Sequence, residues 1–126
     1  MTKTQIEKLR TAIVALLTEY DVLGDCTIYA NGKRWIYGYK FSEDYSEMTL
    51  TEKVEDNIDV KEYLEYCNPD TISIAFDGSS LYEVMNYHNT SVENPENLIA
   101  EFNALCKEYG LYFDLGNSWN LSLYEI

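Results

Sequence analysis

The stretch Cys26-Thr27-Ile28-Tyr29-Ala30-Asn31-Gly32-Lys33-Arg34-Trp35-Ile36-Tyr37-Gly38-Tyr39 decides the fold. Two runs rich in β-branched and aromatic residues flank Asn31-Gly32, a dipeptide that tolerates positive φ at both central positions of a type I′ turn. The spacing predicts an antiparallel hairpin over residues 26–30 and 33–39. A second hairpin closes the chain, with Leu111, Phe113 and Leu115 alternating before Gly116-Asn117-Ser118 and Trp119, Leu121 and Leu123 alternating after it. Between the two hairpins, Ile72, Ile74 and Phe76 alternate with Thr71, Ser73 and Ala75, the period-two pattern of a half-buried strand, and Asp77-Gly78 turns the chain. A weaker alternation of Met48, Leu50 and Val54 within residues 41–56 predicts one more strand after a polar loop.

Helical periodicity surrounds these strands. Ile6, Leu9, Ile13, Leu16, Leu17 and Tyr20 recur at three-and-four spacing and predict a helix over residues 5–22. Thr4-Gln5-Ile6-Glu7 has the form of a capping box, and Gly24 is suited to a left-handed stop. Asn94-Pro95 opens a second long helix over residues 95–109, whose stripe is Leu98, Ile99, Phe102, Leu105, Cys106 and Tyr109 and whose end is Gly110. Val60, Tyr63, Leu64 and Cys67 share a helical face, so a short helix is expected over residues 60–67, with Asp59 and Glu62 as cap partners and Asn68-Pro69 as the stop. Residues 81–88 fit either the return arm of a hairpin or a short helix facing Leu81, Val84, Met85 and His88 inward.

A helix, a Glu-Tyr pair and a turn recur at Glu19-Tyr20 with Asn31-Gly32, Glu65-Tyr66 with Asp77-Gly78, and Glu108-Tyr109 with Gly116-Asn117. Duplication is one source of that pattern and the ordinary sequence of helix then hairpin is the other. Either way, single-striped helices and one-faced strands imply a two-layer α+β domain. An antiparallel sheet built from hairpins carries two long amphipathic helices and one short helix on one face, with Ile13, Leu16, Phe102 and Leu105 expected in the core.

The length of 126 residues fits one domain spanning residues 1–126. With 46% hydrophobic residues, two prolines and six glycines, the chain buries enough apolar surface to order itself. The longest apolar run, Ala12 to Leu17, falls far short of the roughly 20 residues a membrane span needs. Met1-Thr2-Lys3-Thr4-Gln5-Ile6 lacks an apolar signal core, so a cytoplasmic location is expected. Cys26, Cys67 and Cys106 are too widely and evenly spaced for a disulfide framework or a metal knuckle, and read as reduced core thiols.

Motifs for chemistry are sparse. The glycines are scattered one to a turn or helix end, which excludes both phosphate-cradling loops, and no cofactor is expected. His88 is the only histidine, so sites needing two or three imidazoles are excluded within one chain. A Cys67–His88 nucleophile pair is the remaining enzymatic option, though His88 in Asn86-Tyr87-His88-Asn89 reads as a loop residue. Asp56-Asn57-Ile58-Asp59 resembles the opening of a calcium loop but lacks the later Gly and Glu, and is read as a solvated acidic loop. No catalytic or metal-binding residue is assigned, and an enzyme is not expected.

Charge is more informative. Twenty-two Asp and Glu against nine Lys and Arg give −13, the wrong sign for holding nucleic-acid phosphates. Residues 1–40 hold six bases and four acids, a net of +2, which leaves −15 to residues 41–126. Within residues 43–65 the acids Glu43, Asp44, Glu47, Glu52, Glu55, Asp56, Asp59, Glu62 and Glu65 face only Lys53 and Lys61, a local net of −7. Tyr45, Tyr63 and Tyr66 are threaded through the same region, and tyrosine supplies contact area at little entropic cost. These twelve residues are the candidate partner-binding set. Trp35, beside Lys33 and Arg34, is expected in the core, with a cation–π pair as its competing use.

The expected function is therefore an acidic binding protein that lays carboxylates and tyrosines on the basic, nucleic-acid-binding groove of another protein, such as a nuclease, and inhibits it. In kind, though by no shared motif, this is similar to the nucleic-acid-mimicking anti-CRISPR and anti-restriction proteins of phages and mobile elements. An immunity protein that neutralises a toxin nuclease uses the same physics on one dedicated partner. A small accessory or oligomerising protein with no inhibitory role is the third reading.

Overall fold

The computed structural model describes residues 1–86 and 90–126. Helix α1 (Lys3–Glu19) leads into β1 (Thr27–Ala30), β2 (Lys33–Phe41) and β3 (Met48–Glu55); β4 (Ile72–Ala75), α2 (Ser80–Met85), α3 (Pro95–Glu108), β5 (Leu111–Asn117) and β6 (Asn120–Glu125) follow. The strands form one sheet in the order β3-β2-β1-β4-β6-β5, and every neighbouring pair is antiparallel. This is the α+β domain expected.

The deciding hairpin forms in the predicted register: Ala30 pairs with Lys33, and Asn31 and Gly32 take φ of 52° and 72°. Helix α1 begins earlier than expected. The hydroxyl of Thr2 accepts from the Gln5 amide while the Gln5 side chain accepts from the Thr2 amide, so the capping box is Thr2 with Gln5 rather than Thr4 with Glu7. Glu7 is freed to pair with Arg10 one turn on. At the other end, Asp21 takes the left-handed conformation with φ 55°. Gly24 serves a different purpose: the Tyr39 phenol lies 2.0 Å from where its Cβ would stand, so any larger residue displaces Tyr39.

The helices cover one face of the sheet. Ile6, Leu9, Ile13 and Leu17 of α1 and Leu98, Phe102 and Cys106 of α3 are buried against Ile28, Ile72, Ile74, Phe76, Leu121 and Leu123. Phe102 meets Phe113 edge-on at 5.2 Å. Ile13 and Phe102 are fully buried as expected, whereas Leu16 and Leu105 sit half-buried at the margin of the core. Asn94 precedes α3 in a left-handed conformation with φ 52°, and its carbonyl rather than its side chain receives the first amides. The ambiguous segment resolves as α2, capped by Ser79, with Leu81, Val84 and Met85 buried; His88 lies outside the described residues.

The principal departure is on the opposite face. Residues 60–67 were expected as a helix but make only a 3-10 turn, Val60–Glu62, which Asp59 caps by accepting from the Lys61 amide; Glu62 takes no capping role. The segment is held flat instead. The Asn68 side chain donates to the Leu123 carbonyl at 2.7 Å, and Pro69 then bars helical continuation. Val60 and Leu64 thereby press on Tyr29 and Ala75, with Ile58, Cys67 and Trp119 beside them, as a second small core. Every residue of β4 is buried, so the alternation in Ile72–Ala75 does not mark an exposed face. Its outward hydroxyls are satisfied internally: Ser73 pairs with Ser122 at 2.7 Å, and Thr71 donates to the Leu123 carbonyl. The threefold helix-and-turn recurrence also fails in its middle unit, which has a 3-10 turn in place of an α-helix.

All three cysteines are free; Cys26 and Cys106 are buried, while Cys67 is half-buried in the smaller core rather than the main one. Among the described residues no helix is long and apolar enough to cross a membrane.

Candidate functional site

The acidic segment begins at the turn joining β2 to β3. The Asp44 carboxylate accepts from the hydroxyls of Ser42 at 2.8 Å and Ser46 at 2.7 Å and from the Ser46 amide, which together hold it down at about 2. That knot fixes the tip. Tyr45 stands there with φ 58° and 79% of its surface exposed, its ring centroid 6.0 Å from that of Phe41. Glu43 and Glu47 flank it, both exposed.

Along β3 the side chains alternate. Register puts Met48, Leu50, Glu52 and Val54 on the helix-bearing side with Tyr37 and Trp35, and Thr49, Thr51, Lys53 and Glu55 on the other. Glu52 stands beside the buried Tyr37 hydroxyl, which makes no hydrogen bond of good geometry; burial, reinforced by Glu52, pushes that phenol up. Glu55 accepts from Arg34, which lowers its pKa, and the same guanidinium lies 4.1 Å over the Tyr63 ring. Asp56 sits 3.3 Å from Lys33, and Asp59 is spent on its cap.

The candidate set therefore divides by use. Asp44, Glu55, Asp56 and Asp59 serve the fold locally. Glu43, Glu47, Glu62 and Glu65 are exposed, and their side chains make no hydrogen bond or ion pair among the described residues. It also divides by place. Residues 43–47 form the hairpin tip, whereas Glu62, Tyr63, Glu65 and Tyr66 ride on the sheet face opposite the helices. Tyr63 is 44% exposed with its ring 5.9 Å from Tyr29; Tyr66 is 49% exposed, and its carbonyl accepts from Asn120.

That second face carries side chains outside the candidate set. Tyr112 and Tyr124 pair across β5 and β6 with ring centroids 5.9 Å apart, and register places Asp114 on their side. The signal was present in the sequence, since these are the polar positions of an alternating hairpin whose Leu111, Phe113, Leu121 and Leu123 face inward. The cation–π pair of Trp35 exists with an unexpected partner: Arg10 of α1 lies 4.0 Å over the buried ring, not Lys33 or Arg34.

The described residues bring no three His, Cys, Asp or Glu side chains together as metal ligands. A polar cleft of about 490 Å³ lies between the end of α1 and residues 91–94, lined in part by Glu19, Tyr20, Asp21 and Glu93, and shares no residue with the acidic segment. Hydrogen bonding to Glu101 pushes the Tyr20 phenol up to about 12. Compared with protein-family models, curated proteins and solved structures, the chain matches none.

Proposed function

We propose that this chain is a non-enzymatic binding protein that occupies the nucleic-acid groove of a basic protein and blocks it. The observation that carries the reading is the set of uncommitted, exposed carboxylates, Glu43, Glu47, Glu62 and Glu65, interleaved in sequence with the exposed rings of Tyr45, Tyr63 and Tyr66. A groove lined with Lys and Arg responds to negative charge and its spacing, so carboxylates serve where phosphates would lie.

The test is capture from cells of the source organism on the immobilised chain, in parallel with a variant carrying Glu43→Lys, Glu47→Lys, Glu62→Lys and Glu65→Lys. Because none of the four supports the fold, the variant should melt at or above the parent temperature as self-repulsion falls. The parent should retain a nucleic-acid-binding protein and inhibit its binding to nucleic acid, and the variant should do neither. Retention of proteins without nucleic-acid binding, or equal capture by the variant, overturns the proposal. The captured partner's identity also separates a general decoy from a dedicated toxin immunity protein.

A further inference from the structure

The β2–β3 hairpin outgrows the sheet that carries it. Strand β1 pairs with β2 only as far as Ile36, and the bonds between Tyr37 and residues 25 and 26 are the last on that side. Beyond them β2 and β3 pair with each other alone, and β3 is an edge strand throughout. Its register with β2 runs unbroken through eight residue pairs, with no bulge and no proline. The other edge strand, β5, is interrupted between Leu115 and Asn117 and has α3 packed against it. Natural sheets guard long straight edges by bulges, prolines, cover or charge; β3 has no bulge, proline or cover, and its guards are the charges of Glu52 and Lys53.

The direction of its free bonds follows from one contact. The Ser42 amide donates to the Glu47 carbonyl, so residues 49, 51, 53 and 55 bond inward to β2 by alternation, and the backbone groups of Met48, Leu50, Glu52 and Val54 point outward. Those four share a face with Phe41, and the apolar ones are exposed: Phe41 51%, Met48 57%, Leu50 40% and Val54 46%. Charge selects the occupant. Glu47 and Glu52 border the edge without an ion pair among the described residues, whereas Glu55 and Asp56 are matched by Arg34 and Lys33, and a second copy of this chain, itself of net charge −13, would set the same unpaired acids against each other.

We propose that the outer edge of β3 receives an extended segment of the basic partner as an additional strand, with apolar residues alternating with Lys or Arg. Main-chain hydrogen bonds provide the binding, the Met48-Leu50-Val54 row receives the apolar side chains, and the unpaired Glu47 and Glu52 select the basic ones. This rests on the basic-partner reading above and adds how the partner is held.

The probe is an end-blocked octapeptide of alternating Val and Lys, with a second version N-methylated at every residue, titrated into the full chain and followed by amide NMR. Complete N-methylation preserves charge and removes the donors of both peptide edges. The first peptide should slow exchange at the amides of Met48, Leu50, Glu52 and Val54, and the methylated one should bind at least about tenfold more weakly. Equal binding of the two, binding by neither, protection elsewhere, or self-association that protects the same amides without peptide overturns edge addition. If the peptide result fails while charge reversal still abolishes capture of a nucleic-acid-binding protein, edge docking is wrong and the acidic reading stands. If the edge takes the peptide but captured proteins lack nucleic-acid binding, the acidic reading is the one that falls.

Discussion

Strands β4 and β3 lie three places apart in one sheet and occupy opposite environments. All four residues of β4 are buried, between the helices on one side and residues 58–67 on the other. Seven of the eight residues of β3 are exposed, and Glu55 is half-buried. Both segments alternate apolar and polar residues, and by that pattern alone each should have one wet face. Neither does. What covers a strand is decided by distant chain: here by Leu64 and Val60 for one, and for the other by an α1 whose stripe reaches Trp35 through Arg10 and leaves β3 beyond it.

The largest expected effect tests that contrast directly. Ile74 is fully buried, so Ile74→Ala should cost about 2–5 kcal/mol in urea denaturation through lost burial and a cavity. Leu50→Ala, at the same kind of position on β3, should stay within about 0.5 kcal/mol of the parent. Equal losses at the two sites would show that the hairpin is covered in solution. Next in size is Leu64→Ala, which probes the second layer alone and should cost about 2–3 kcal/mol, because Leu64 is 3% exposed but packs in a small core. A Leu64→Ala protein that melts with its parent would mean that residues 58–67 lie loosely on the sheet.

Legibility follows the range of the signal. Asn31-Gly32, the alternating arms beside it and the two long helical stripes are local, and each appears where local rules put it, with α1 shifted to Lys3–Glu19 from the expected 5–22. The failures are contests between neighbours of similar strength or matters of tertiary cover. Thr2 with Gln5 and Thr4 with Glu7 both offer a capping box, and the pairing of Glu7 with Arg10 accompanies the first. Val60 and Leu64 have helical spacing, yet the anchor from Asn68 to Leu123, 55 residues away, makes that segment a cover rather than a helix. The candidate site shows the same division. Exposure of the acids was readable from charge density, but the ties of Glu55 to Arg34 and of Asp56 to Lys33 cross from β3 to β2 and needed the register.

Thiol chemistry gives a smaller, kinetic version of the contrast. Burial pushes Cys26 and Cys106 up to about 12, and raises Cys67 as well, but Cys67 is only half-buried beneath the second layer. Native protein near pH 8 should therefore label at one thiol, Cys67, with the other two reacting only in denaturant, as read by mass spectrometry. Rapid labelling of Cys106 would mean that α3 does not stay packed on the sheet.

The smallest effect lies at the exposed tip. Asp44 sits at about 2 in the folded chain against 3.8 for a free side chain, because Ser42 and Ser46 donate to its ionised form. A depressed folded value contributes stability that is complete above the unfolded pKa and is lost as pH falls through the folded one, here between about pH 4 and pH 2. Asp44 is fully exposed, so global stability should scarcely register the change. The local signal should be clear: in a carboxyl-carbon NMR titration Asp44 should titrate near 2, with the Ser46 amide shift following the same curve, while the β4 amides show no step there. An Asp44 that titrates near 4 would mean that the knot at the tip does not persist in water. Tyr45 would then be presented from a loose loop, and a tyrosine that must be ordered on binding gives up entropy that a fixed one does not.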